Sequence, residues 1–160
     1  MVVKDRLSFR GTPVMYAMIL LELPTLLLVG TFYFTGKLGD EGWIALLIVG
    51  TLLPLTFLLL MNISLDIRMD DSSFSYRSSP FQPKWKKLAI EEIKSISIHK
   101  KDGFLDYGGI GLRISGKTRA YIFLADYLIE LEAGNRKLVF STQKPEEFKE
   151  MIKNWNLDNL

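Results

Sequence analysis

The chain has no cysteine and a single histidine, His99. Without cysteine there is no disulfide framework, no thiolate metal site and no cysteine nucleophile, a composition that fits a reducing compartment. One histidine cannot build a multi-histidine metal site. Charge of one sign is lacking too: 20 Lys+Arg stand against 18 Asp+Glu, and residues 62–160 carry 16 against 14, about +2. A nucleic-acid module would concentrate basic residues on one face, so nucleic acid is not an expected partner. There is no Walker loop and no Gly-x-Ser-x-Gly elbow. No acid–base or nucleophile constellation can be named, so no enzyme, metal or cofactor is expected.

What is present first is a pair of long apolar runs. Residues 14–34 form a run of 21 with one charge, Glu22, and residues 43–61 form a run of 19 with none. Each is long enough, at about 1.5 Å per residue, to cross a hydrocarbon core of roughly 30 Å. The eight residues between them hold three glycines and three charges, which suits a turn outside lipid. A transmembrane helical hairpin over 14–61 is therefore expected. Aromatic residues gather where the interface should lie, with Phe32, Tyr33, Phe34 and Trp43 at one end and Tyr16 at the other. Pro24 and Pro54, with Gly30 and Gly50, lie inside the runs and predict kinks.

Residues 1–13, read as a cytoplasmic N-terminal segment, carry Lys4, Arg6 and Arg10 against Asp5. The connecting loop has only Lys37 against Asp40 and Glu41, and Arg68 and Arg77 follow the second run. Positive flanks stay inside, so both termini are predicted cytoplasmic, in a multi-pass protein of the cell (inner) membrane. A cleaved signal peptide would have a shorter apolar core ending in small residues. Here the run exits through Thr31-Phe32-Tyr33-Phe34.

Glu22 is the one ionisable side chain at depth, where a charged carboxylate costs at least about 2.5 kcal/mol. One reading makes it a proton-relay or ligand group. The other makes it a neutral acid, hydrogen-bonded to Thr56 or Thr51, that holds helices or protomers together. A relay needs a second ionisable partner in the membrane, and the two runs contain none. Two spans cannot enclose a substrate path by themselves, and no pore-lining charge pattern is present.

After Met61 the pattern changes to short alternating runs. Ile63, Leu65, Ile67 and Met69 alternate with polar residues, Asp70-Asp71-Ser72-Ser73 turns, and Phe74-Ser75-Tyr76-Arg77 resumes. Residues 78–87 read as a polar loop with two prolines, and Glu91-Glu92 as a local or single helical turn. Further strands are read around Ile96, Leu112, Tyr121, Leu131 and Val139. Pro145, Glu146 and Glu147 then suit a helix start, and Phe148, Met151, Ile152 and Trp155 fall at i, i+3, i+4 and i+7. So short an amphipathic helix (145–155) must dock on the sheet to be stable. The expectation for 62–160 is a small cytoplasmic β-domain: seven or eight antiparallel strands in a bent sheet or barrel, then one C-terminal helix.

That order resembles the pleckstrin-homology-like (PH-like) architecture, and the residues resemble its bacterial families. The likeness rests on Ala89-Ile90-Glu91-Glu92-Ile93, on Tyr107-Gly108-Gly109-Ile110-Gly111-Leu112-Arg113, and on the Asn135 turn with the strand leading into Lys144-Pro145-Glu146-Glu147-Phe148. Two membrane spans followed by such a domain match the layout of small bacterial proteins. The resemblance implies a non-enzymatic module binding a protein, peptide or lipid headgroup. The phosphoinositide site of eukaryotic PH domains draws basic residues from around the first hairpin, where this chain has Asp70-Asp71.

The glycines at 108, 109 and 111 have the wrong spacing for a dinucleotide fingerprint and suit a bulge or close backbone approach. His99 alternates with Ile96 and Ile98 as an outward, solvated residue. Asn62-Ile63-Ser64 fits a glycosylation sequon but falls at the membrane boundary on the inner face. Lys84, Trp85, Lys86, Lys87, Lys100 and Lys101 are the densest basic feature. If their two loops adjoin, they would face the anionic leaflet or an acidic partner, each lysine adding about 1 kcal/mol. The expected role is a membrane-anchored module whose partners are the lipid bilayer and a protein partner or a second copy of the chain. The alternative is an accessory subunit of a larger integral-membrane complex, in transport or an envelope process, with the hairpin as its interface.

Overall fold

A computed structural model describes residues 1–103 and 109–155. The chain divides into two compact units: Met1–Ser8 with everything from Ser64 onward, and Phe9–Ile63.

The second unit is the hairpin, α1 (Pro13–Phe34) and α2 (Gly42–Met61). Both are long and apolar enough to cross a membrane. Their packing seam is narrow. The less exposed residues of α1 include Met18, Glu22, Leu26 and Val29, and those of α2 include Leu46, Val49, Leu53 and Phe57, each set at helical spacing. The remaining leucines point away from the seam, Leu20 74 %, Leu27 64 % and Leu47 58 % exposed. The core helix of a soluble protein would cover such residues. Thr25, Thr31 and Thr51 return their hydroxyls to the carbonyl four residues back at 2.7 Å, so no side-chain donor is left over at those positions. Gly42 opens α2 where a Cβ would sit 2.5 Å from that of Leu38.

The first unit holds nine strands among the described residues. One sheet has the order β1 (Val2–Ser8), β2 (Ser64–Asp70), β3 (Ser73–Ser79), β4 (Gln82–Ala89), all antiparallel. Val3, Leu7, Leu65, Ile67, Met69, Phe74 and Tyr76 are buried, while Lys4 and Arg6 alternate outward. A single 3-10 turn (Ile90–Glu92) follows β4, with the Ala89 N–H donating to Glu92 Oε2 at 3.0 Å.

The other sheet contains β5 (Ile93–Lys100), β6 (Gly111–Ser115), β7 (Thr118–Ile122), β8 (Tyr127–Ala133) and β9 (Arg136–Thr142). Its order is β5-β8-β9-β7-β6, antiparallel except for the parallel β7–β9 pair. Aromatic rings join the sheets: Phe140 lies 5.3 Å from Phe74, 4.8 Å from Tyr76 and 5.2 Å from Tyr121, stacked on the last. Helix α3 (Pro145–Asn154) buries Phe148, Met151 and Ile152, and the indole of Trp155 donates to the Asp70 carbonyl at 3.0 Å.

Three expectations change. The bent sheet or barrel is two sheets, with no closed barrel among the described residues, because β4 and β5 end different sheets. Residues 2–8, read as part of a separate N-terminal segment, are strand β1 of the β-unit, with Val3 and Leu7 inward. Much of the expected 78–87 loop is β4, which lacks apolar alternation because it is an edge strand. Pro83 and its lysines are what edges tolerate. Tyr107 and Gly108 of the glycine-rich stretch lie outside the described residues.

Candidate functional site

Three features carry more chemistry than folding requires. The first is the outward face of the β1–β4 sheet. Lys4, Arg68, Ser75 and Lys87 stand opposite one another across four strands. In the neighbouring row Asp66 lies between Arg6 and Arg77, 3.5 Å from one guanidinium and 2.9 Å from the other. Arg77 also sits over the Trp85 ring, 4.8 Å from its centroid. Asp70 belongs to this sheet. Burial pushes its carboxyl up, but hydrogen bonds from Ser72 and Ser73 and the charge of Lys87 outweigh that and leave it below the usual value.

The six basic-cluster residues are thereby distributed. Trp85 and Lys87 belong to the outward face, whereas Lys86, opposite Tyr76, turns toward the gap between the sheets. Lys84 is exposed on β4, Lys100 ends β5, and the Lys101 N–H donates to the Asp126 carbonyl at 2.8 Å. Of the two stretches read as loops, the first is mostly β4, and Lys100 of the second closes β5, an edge strand of the other sheet.

The second feature is a half-open groove of about 530 Å³ between the sheets. Lys86, Lys94, Arg119 and Arg136 line it, together with Glu91 and Glu92, and its apolar walls include Leu88, Leu138 and the Tyr76 ring. None of the four cations has an ion pair among the described residues. Below them the Tyr76 and Tyr121 hydroxyls are hydrogen-bonded to each other, and Tyr121 donates onward to Gln82 Oε1 at 3.4 Å. Burial pushes the Tyr76 phenol up to about 12 and raises that of Tyr121, with the Arg119 charge opposing both. Both are therefore neutral at physiological pH. Gln82 Nε2 is buried without a hydrogen-bond partner. Among these residues the sequence reading singled out only Lys86 as a candidate. Arg119 reaches the groove through the β7–β9 pairing, which no local pattern announces.

The third feature is Glu22, on the α1–α2 seam. Thr56 Oγ1 lies 3.4 Å from Glu22 Oε1 and donates to the Leu53 carbonyl at 2.8 Å. Of the two threonines considered, Thr56 is the partner, and Thr51 bonds its own helix. At the base of the hairpin Arg10 Nε donates to the Met61 carbonyl at 3.0 Å and Nη2 to Asn62 Oδ1 at 3.2 Å. The Asn62 amide in turn donates to the Leu58 carbonyl at 2.9 Å, so the sequon asparagine closes the end of α2.

Among the described residues no cluster of three His, Asp or Glu side chains could hold a metal ion. The chain matches no family model, no curated protein and no solved structure.

Proposed function

We propose that the chain is a non-enzymatic binding module anchored by its hairpin in the cell membrane, with the β-unit at the cytoplasmic face. The observation that carries this reading is the β1–β2 register. Ser8 and Ser64 are partners in adjacent strands, and the whole hairpin is inserted between them. An insertion that leaves and returns at one point needs an even number of crossings. Exposed leucines on both helices need lipid around them. Positive flanks, set against a loop carrying Asp40 and Glu41, favour the cytoplasmic side for both ends. Short connections to both β1 and β2 raise the effective concentration of the module for membrane-borne partners. The PH-like resemblance is supported by the C-terminal helix docked on two sheets, while the parallel β7–β9 pair departs from a simple meander.

A second reading, an accessory subunit using the hairpin as its interface, draws on Gly30 and Gly50. A Cβ at either would meet nothing within 4 Å, so their smallness serves no contact inside the hairpin. Replacing the hairpin by an unrelated two-span anchor and crosslinking in native membranes separates the two. The module captures the same partner after replacement, and the subunit loses it. A native chain that alkaline extraction releases from membranes would sink both.

A further inference from the structure

We infer that the groove between the two sheets binds an anionic amphiphile, a carboxylate or phosphate head carrying a short apolar arm. This deepens the reading of the β-unit as a binding module and rests on it. The groove gathers four cations and two acids, an excess of two positive charges that suits a head of one or two negative charges. Glu92 is already committed to the Ala89 N–H, which leaves Glu91 as the acid with no hydrogen bond to hold it in place. Arg119 is half-buried, hydrogen-bonded to the Tyr121 hydroxyl and without a carboxylate partner, so its charge is left for an anion in the groove. Its neighbours Tyr76 and Tyr121 supply no negative charge, since both phenols stay protonated. They form a short relay that ends on Gln82, whose amide nitrogen remains an unused donor. The lining itself therefore offers four cations and Tyr76, while Leu88, Ala133 and Leu138 give it apolar wall. A volume of about 530 Å³ lies in the range of small-ligand sites. On the outward face of the β1–β4 sheet, by contrast, Arg6 and Arg77 already share the carboxylate of Asp66.

The head group has two sources, a free soluble anion or a membrane lipid, and the experiment separates them. Full-length protein in zwitterionic nanodiscs is acetylated at its amines with and without hexyl phosphate, and the labelled lysines are read by mass spectrometry. Saturable protection of Lys86 and Lys94, with the turn residue Lys117 unaffected and hexanol without effect, supports a soluble ligand. Protection in discs containing anionic lipid, with no added probe, supports a lipid head. In either arm Arg119→Gln weakens the protection at least tenfold. Arg136→Gln, at the exposed first residue of β9, weakens it severalfold even if the first variant fails to fold. No protection in either arm, or protection unchanged in both variants, overturns the assignment. That failure, with the chain still retained in membranes, would leave the anchored-module reading standing. Release from membranes would sink the anchor while the hexyl phosphate arm in detergent still reads the groove.

Discussion

Asp5 is 7 % exposed on the inward side of β1, an unusual place for a carboxylate. It is satisfied there by the Thr142 hydroxyl and the Gln143 N–H, each at 2.8 Å, and so fastens β1 to the approach of α3. Asp5→Ala leaves both donors facing an apolar interior. The expected loss is about 1–3 kcal/mol, read as a lower denaturation midpoint of the full chain. Arg10, five residues on, closes the other unit through Met61 and Asn62. Arg10→Ala is expected to cost about 1–2 kcal/mol through the lost carbonyl bond and the favourable helix-end charge. The phenol of Tyr76 gives the opposite kind of test. Its folded value of about 12 exceeds the free value, so the folded state holds this proton more tightly. Stability from that difference is complete below pH about 10 and lost as pH climbs toward 12. Melting in alkaline buffers is expected to fall over that window, and Tyr76→Phe to fall less, the remainder belonging to Tyr121. An equal fall in both would assign the loss elsewhere. In sequence, Asp5 counted only as a charge offsetting its basic neighbours, because alternation marks which side a residue takes without saying what awaits it there.

At the scale of elements, legibility followed how many structures a run of residues permits. Some twenty apolar residues in a row have one economical form, so the expected 14–34 and 43–61 differ by one residue from Pro13–Phe34 and Gly42–Met61. The stripe of Phe148, Met151, Ile152 and Trp155 likewise left one choice for α3. Strands at the edge were harder. β1 has its alternation in Val3, Asp5 and Leu7, yet a charged residue interrupts the pattern. β4 carries three lysines, Pro83 and Trp85, so it reads as a loop until β3 is present to pair with it. Those same residues protect the edge from pairing with another chain. Pro83→Val combined with Lys84→Val removes two of these devices and is expected to raise aggregation, measured by light scattering. The melting midpoint should move little, since both side chains are exposed. Unchanged solubility would mean that the bulge opposite Tyr76 and Ser78 protects the edge without them. Of the order β5-β8-β9-β7-β6 only the hairpins β6–β7 and β8–β9, with their tight turns, were legible. Parallel pairing of β7 with β9 depends on contacts between residues far apart in the chain, and with it went the groove.

For the whole molecule the decisive feature is that the hairpin is inserted in the chain between two paired strands. β1 and β2 are paired along seven residues from Val2↔Asp70 to Ser8↔Ser64, and neither can leave the other without dismantling the edge of the core. Any membrane arrangement must therefore place both flanks of the hairpin on one side, whichever side that is. On the proposed reading the distribution of Lys and Arg gives that side as the cytoplasmic one. Lys4, Arg6, Arg10, Arg68 and Arg77 lie on the flanks and Lys37 alone in the loop, and the positive-inside bias counts these residues rather than net charge. Because the chain has no cysteine, single introduced thiols report topology without background. Lys37→Cys is expected to react with an impermeant maleimide on intact cells, and Lys117→Cys only after permeabilisation. The reverse pattern would keep the paired strands and invert the protein. Reaction of both sites on intact cells would remove the membrane crossing, and with it the reason two apolar helices are inserted between two paired strands.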